Sequence, residues 1–172
     1  MGRHLTLKFD SKKIYTFKEL QQTSEYIVKN LDNLNESVIK QWNSHMFNSP
    51  EPCFVHGMSL IEIGENEEGK NYIYRAAKLN YSLANFFLAD CYAFGEYEFK
   101  QSKDKAIPFY MQACKYGERA ACQNAYRLLK EKYSKVEAMG IIGKEIGKGR
   151  FLLGLYFPLV NKMLGKKEIA QR

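Results

Sequence analysis

Cys53 and His56 stand three residues apart, a spacing that would put both on one helix face and begin a metal site. Zinc needs three or four ligands, and His4 and His45 supply no matching pair, so no metal is expected. No Ser-His-acid order, Walker loop or dinucleotide fingerprint occurs. Gly140, Gly143, Gly147 and Gly149 are scattered among Ile and Lys and follow no strand pattern, which argues against a phosphate cradle. Glu65-Asn66-Glu67-Glu68-Gly69 is too short for a calcium loop and reads as a solvated turn, with Glu67 and Glu68 at a helix N-terminus. Met1 to Thr6 fits the loose pattern for N-myristoylation, against which stands the strand-like alternation that follows. These residue types point away from catalysis, so the chain is expected to be no enzyme and to need no cofactor.

What positions the remaining side chains is a chain of 172 residues, the size of one ordinary domain. Hydrophobic residues make up 45% and charged residues 26%, which excludes a disordered tail and a membrane bundle. Met1 to Asp10 lacks the continuous apolar stretch of a secretory signal, so a cytoplasmic location is expected. The net charge of +7 invites a polyanion partner. That charge is local, however: residues 134–172 carry eight basic and three acidic groups, while the preceding chain is nearly balanced. A broad field for nucleic acid is therefore not expected.

Leu5, Leu7 and Phe9 alternate, and Ile14, Tyr15 and Phe17 follow a turn-like Asp10 to Lys13, which reads as a short β-hairpin or an extended arm. Thr16 and Glu19 form a capping box ahead of Phe17, Leu20, Ser24, Ile27, Val28, Leu31 and Leu34 at helical spacing. Asn35 caps a second helix carrying Val38, Ile39, Trp42 and Met46, ended by the Pro50-Glu51-Pro52 turn. That turn divides the chain into an N-terminal part, 1–50, and a repetitive part, 51–133. Residues 134–172 form the third part.

The repetition appears when Tyr74 to Ala84 is placed under Tyr110 to Ala120, an offset of 36 residues. Each copy then opens a new apolar helix, Ala84 to Gly95 in one and Ala120 to Leu129 in the next. Phe54 to Gly64 matches the same helix upstream, with Gly64 under Gly95 and a following loop five residues shorter. Ala77, Ala84, Ala89, Ala106 and Ala113 allow close helix approach, Leu88, Tyr92 and Tyr110 fill the space between, and Gly64 and Gly95 end their helices.

Ala84-x3-Leu88-Ala89-x2-Tyr92-x2-Gly95, then Asp104-Lys105-Ala106, Tyr110, Ala113, Gly117 and Ala120, resembles the Sel-one-like repeat, a relative of the tetratricopeptide repeat. Residues 53–84 resemble a divergent copy, Ala120 onward a third that loses its glycine, and Gly149 to Phe157 a degraded first helix. The resemblance implies an all-α fold, an α/α superhelix of stacked helix-turn-helix repeats, used as an adaptor or regulator that binds a protein or peptide. An immunity or inhibitor protein for a toxin is one concrete form. The spacing of Cys114 and Cys122 is similar to that of a secreted cysteine-rich bacterial subfamily, which implies a disulfide between one repeat's second helix and the next repeat's first. The missing signal sequence makes two reduced, buried thiols the default instead.

By the same analogy the first helix of each pair lines a concave face. There Phe86, Asp90 and Phe94 form one stripe, with Val55, Ser59 and Ile63 before it and Cys122, Tyr126 and Lys130 after it. Aromatics interleaved with an acid and a lysine suit an extended peptide or a partner helix, or are core packing; the residues leave both open. The apolar residues from Ile141 to Leu164, set among lysines, are expected to cap the array, with Pro158 bending the last helix. The alternative is contact with an anionic membrane surface.

Overall fold

The computed structural model describes residues 15–146. The N-terminal hairpin or arm, the myristoylation pattern and the apolar segment from Phe151 to Leu164 with Pro158 lie outside the described residues. Those residues are all-α, with eight helices and no strand among them. Two compact units divide between Leu79 and Asn80.

In the first unit, α1 (Phe17–Lys29) opens on the expected box: Glu19 N–H donates to Thr16 Oγ1 while Thr16 N–H donates to the Glu19 carboxylate at 2.8 Å. A 3-10 turn over Leu31–Asn33 leads to Asn35, whose side chain accepts from Ser37 N–H at 2.9 Å and caps α2 (Glu36–Asn48). Ser49 alone separates α2 from α3 (Pro50–Glu62), because Pro50 and Pro52 occupy the first turn, where a missing N–H costs nothing. The proline run therefore starts a helix as well as ending one.

After a three-residue link comes α4 (Asn66–Lys78), antiparallel to α3 in a tight hairpin. Gly57 and Gly69 face each other across it. A Cβ on Gly57 would lie 2.7 Å from the Gly69 carbonyl oxygen, and a Cβ on Gly69 would lie 2.7 Å from that of Gly57. Each backbone thus occupies the space of the other's missing side chain, which brings the helices together more closely than alanines would allow. On its other sides α3 is packed by α1 and α2, and nine of its residues are buried.

The second unit holds α5 (Ser82–Phe94), α6 (Lys103–Lys115), α7 (Arg119–Leu129) and α8 (Lys135–Ile146). Gly95, at φ 77°, ends α5 in the left-handed region, as its position predicts. Eight residues join α5 to α6, against three between α3 and α4. The core runs through Ala89, Ala106, Tyr110, Ala113, Ala121, Ala125, Leu128 and Ile142. Tyr92 stacks on Phe109 at 5.8 Å between ring centroids and meets Phe99 edge-on at 4.9 Å. Ser134 and Glu137 form a second capping box that opens α8.

The repeat period is one residue longer than identity matching gives. From the start of α4 to that of α6 is 103 minus 66, or 37 residues, and from α5 to α7 is 119 minus 82, again 37. Burial follows this register: Gly69 pairs with Ala106, Ile73 with Tyr110, Ala76 with Ala113 and Ala84 with Ala121, and all eight are buried. The left-handed residues Asn80 and Gly117 also correspond. Matching Tyr74 to Tyr110 aligned two tyrosines, but the buried slot is filled in one copy by isoleucine and in the other by tyrosine.

Replacing Gly57 or Gly69 by alanine should destabilise the protein by about 1–3 kcal/mol, since backbone rather than a flexible side chain must move. Gly140→Ala, in α8 with nothing within 4 Å of the added carbon, should stabilise by about 0.5–1 kcal/mol. Thermal melts followed by circular dichroism compare the three.

Candidate functional site

The stripe residues differ in accessibility. Val55 and Ser59 are 2% and 3% exposed on a helix enclosed by α1, α2 and α4, and Ser59 spends its hydroxyl on the Val55 carbonyl at 3.2 Å. Ile63, next on that line, is exposed. In the second unit Phe86 and Asp90 are half-buried and Phe94 is 56% exposed, so each stripe opens to solvent at its C-terminal end and the α5 stripe is the less enclosed before it.

The 37-residue register rotates the α7 assignment. The counterparts of Phe86, Asp90 and Phe94 are Gln123, Arg127 and Glu131, one residue beyond Cys122, Tyr126 and Lys130. Because successive helical residues are about 100° apart, that shift moves the stripe from the buried side of α7 to its exposed side. Tyr126 is accordingly core, with the Lys130 ammonium 5.6 Å from its ring centroid.

Three helices converge on the Tyr110 hydroxyl. It donates to the Asp90 carboxylate from α6 to α5, and Asn124 on α7 hydrogen-bonds the same oxygen. Arg127, one turn on, acts electrostatically on both Asp90 and Tyr110. Burial raises the Asp90 pKa, the Tyr110 hydrogen bond and Arg127 oppose that rise, and Glu96 adds to it. Burial and the adjacent carboxylate also push the Tyr110 phenol upward, so it stays a donor at any ordinary pH. The Phe86 ring leans on the Tyr110 ring at 5.9 Å between centroids. The resulting face has a hydrogen-bonded polar centre, Asp90, Tyr110 and Asn124, with exposed Arg127 acting on it electrostatically and Phe86 and Phe94 one turn to either side of Asp90 on α5. Arg127 and Asn124 are legible from sequence only once the register is right.

Cys114 on α6 and Cys122 on α7 are joined as a disulfide with Cα atoms 4.8 Å apart, rather than left as the two reduced thiols of the default expectation. The bridge lies one turn from Tyr110 on α6 and one turn from Tyr126 on α7, tying together the two helices that supply the polar centre. Cys53 and Cys91 are buried and take no part in the disulfide. Burial raises the Cys53 pKa, which makes it a weak nucleophile, and its sulfur lies 2.8 Å from the Met46 carbonyl. Among the described residues no group of three His, Cys, Asp or Glu is placed to hold a metal, and no helix is long and apolar enough to cross a membrane. Comparison with protein-family models, curated proteins and solved structures finds no match to this chain.

Tyr110→Phe keeps the buried ring but removes the donor on which a half-buried carboxylate depends. We expect a loss of about 1–2 kcal/mol in urea unfolding. Asp90→Asn should cost less, because an amide oxygen still accepts from the hydroxyl. Reduction of the Cys114–Cys122 bridge, which closes a loop of sequence separation 8, should cost about 2 kcal/mol by loop entropy and lower the melting temperature in dithiothreitol. A Cys114→Ser/Cys122→Ser variant should melt at that lower temperature with or without reductant.

Proposed function

We propose that this protein is a non-catalytic interaction module, an adaptor or regulator, that holds a protein or peptide segment against the exposed face of α5 and α7. The observation that carries this reading is that the α5 stripe stays open while its polar neighbours are already fixed. Phe94 is 56% exposed beside Phe86, and Asp90 is held by Tyr110 rather than left to sample rotamers. Binding then orders few side chains, which lowers its entropic cost. Phenylalanine and arginine, here half-buried Phe86 and exposed Phe94 and Arg127, are residue types enriched at protein interfaces. The Sel-one-like resemblance supports the same reading, and inhibition of a toxin is the form of it that suits a short recognition chain without a catalytic set. The Cys114–Cys122 bridge favours action in an oxidising compartment over the cytoplasm expected from the N-terminal sequence.

The test is capture from native lysate at physiological salt on the immobilised oxidised protein. A retained protein should be lost from a Phe94→Ala/Arg127→Ala variant, with at least a tenfold weaker Kd. A Val136→Ala variant on exposed α8 should retain it. Retention of nothing by the wild-type protein, or equal retention by both variants, overturns the reading.

A further inference from the structure

All four helices of the first unit meet at one buried imidazole. Ser24 Oγ of α1 lies 2.9 Å from His56 Nδ1, and Trp42 Nε1 of α2 lies 3.4 Å from the same nitrogen. An indole N–H can only donate, so Nδ1 must accept, the ring proton sits on Nε2, and Ser24 donates its hydroxyl. Tyr72 of α4 stands edge-on to the His56 ring at 4.8 Å, and the Trp42 ring does so at 5.7 Å. Ser24, Trp42 and His56 are all buried.

We propose that His56 is a pH-operated latch: protonation of Nδ1 displaces the Trp42 N–H and releases α2 from α3, opening the first unit in mild acid. This inference concerns a different unit from the α5 and α7 face and does not depend on it. A proton on Nδ1 turns the shared acceptor into a donor. The Ser24 hydroxyl can rotate and accept, but the indole N–H cannot reverse, so donor would face donor at one of the two buried polar contacts between α2 and α3, the other being Cys53 Sγ on the Met46 carbonyl.

Among the described residues no carboxylate acts on the ring to offset the new charge. From α4 the nearby titratable group is Tyr72, itself acted on by Glu68 and Arg75. From α2 it is His45, which packs on Trp42 at 6.4 Å; from α3 it is Cys53; α1 offers the neutral Ser24. Burial alone lowers the His56 pKa from 6.5 to about 4. In the opened state the imidazole regains its ordinary value and takes up a proton first. The stability it lends is therefore complete above pH 6.5 and is lost as pH falls toward 4. Relative to neutral pH, the opening equilibrium rises about 20-fold at pH 5 and approaches about 200-fold well below pH 4.

Trp42 is the single tryptophan, so its emission reports the latch in the full chain. Titration from pH 7.5 to 4 should shift that emission to the red while most far-ultraviolet ellipticity remains. His56→Gln, which still offers an acceptor but cannot titrate, should hold the neutral emission to lower pH, and His45→Gln should behave as wild type. Unchanged wild-type emission to pH 4, an equal midpoint in His56→Gln, abolition by His45→Gln, or loss of all ellipticity at the same midpoint overturns the proposal. If His56→Gln does not fold, nuclear magnetic resonance of the wild-type protein decides. Loss of the indole N–H signal together with His56 protonation supports the latch. Titration near pH 6.5 with that signal intact refutes it.

Discussion

A helix of thirteen residues is too short to persist alone in water, and six of the eight described helices have that length. Each must therefore gain its stability from a neighbour, and the closeness of helix pairing is the constraint on which the rest depends. The first unit meets it with backbone against backbone at Gly57 and Gly69. The second uses Ala106 at the position corresponding to Gly69 and fills the neighbouring slot with Tyr110 where the first has Ile73. That exchange has a chemical consequence. An isoleucine closes a core and ends there, whereas a tyrosine carries a hydroxyl that needs a partner when buried. Asp90 and Asn124 supply it, and a packing position thereby becomes the anchor of a polar surface.

Each unit thus has a buried polar group that several helices share, with different neighbours. Tyr110 hydrogen-bonds half-buried Asp90 and Asn124, and exposed Arg127 acts on that pair electrostatically. His56 is sealed, with Ser24 and Trp42 converging on one nitrogen. A shared acceptor at an enclosed site fixes the arrangement of α1, α2 and α3 more specifically than apolar packing does, because only one tautomer satisfies both donors. The same feature makes it intolerant of charge. Tyr110, in contrast, remains protonated across the accessible range, so it stays a donor to Asp90 while that carboxyl is ionised.

Local signals in the sequence were readable because they depend on neighbours three or four residues away. The Thr16–Glu19 box, the Asn35 cap and the glycine at the end of α5 all stand where spacing places them. The repeat itself was visible in its alanines. Its register was not, since matching Tyr74 to Tyr110 rewards identity while the fold rewards burial, and Ile73 fills the slot. That single residue moved the α7 stripe and hid Asn124 and Arg127. His56 was weighed for a metal and set aside. Its role depends on Ser24 and Trp42, 32 and 14 residues away, which no local pattern connects. Gly57, and the packing role of Gly69 in place of the solvated turn expected there, were hidden for the same reason, as their meaning exists only across the hairpin.

Charge refines what kind of surface the second unit offers. Lys103 pairs with Glu131, Lys132 with Asp104 and Lys115 with Glu145, while Lys105 and Lys130 lie over the rings of Tyr92 and Tyr126. Cations engaged in this way, interspersed with acids, cannot sum to the single-signed field that draws a polyanion. Of the eight basic groups in residues 134–172, only Lys135 and Lys144 fall among the described residues, and both are exposed. On the proposed reading, recognition by the α5 and α7 face would rest on shape, aromatic contact and a few oriented polar groups. Those interactions weaken little with salt, whereas attraction through a basic segment would fall steeply with it.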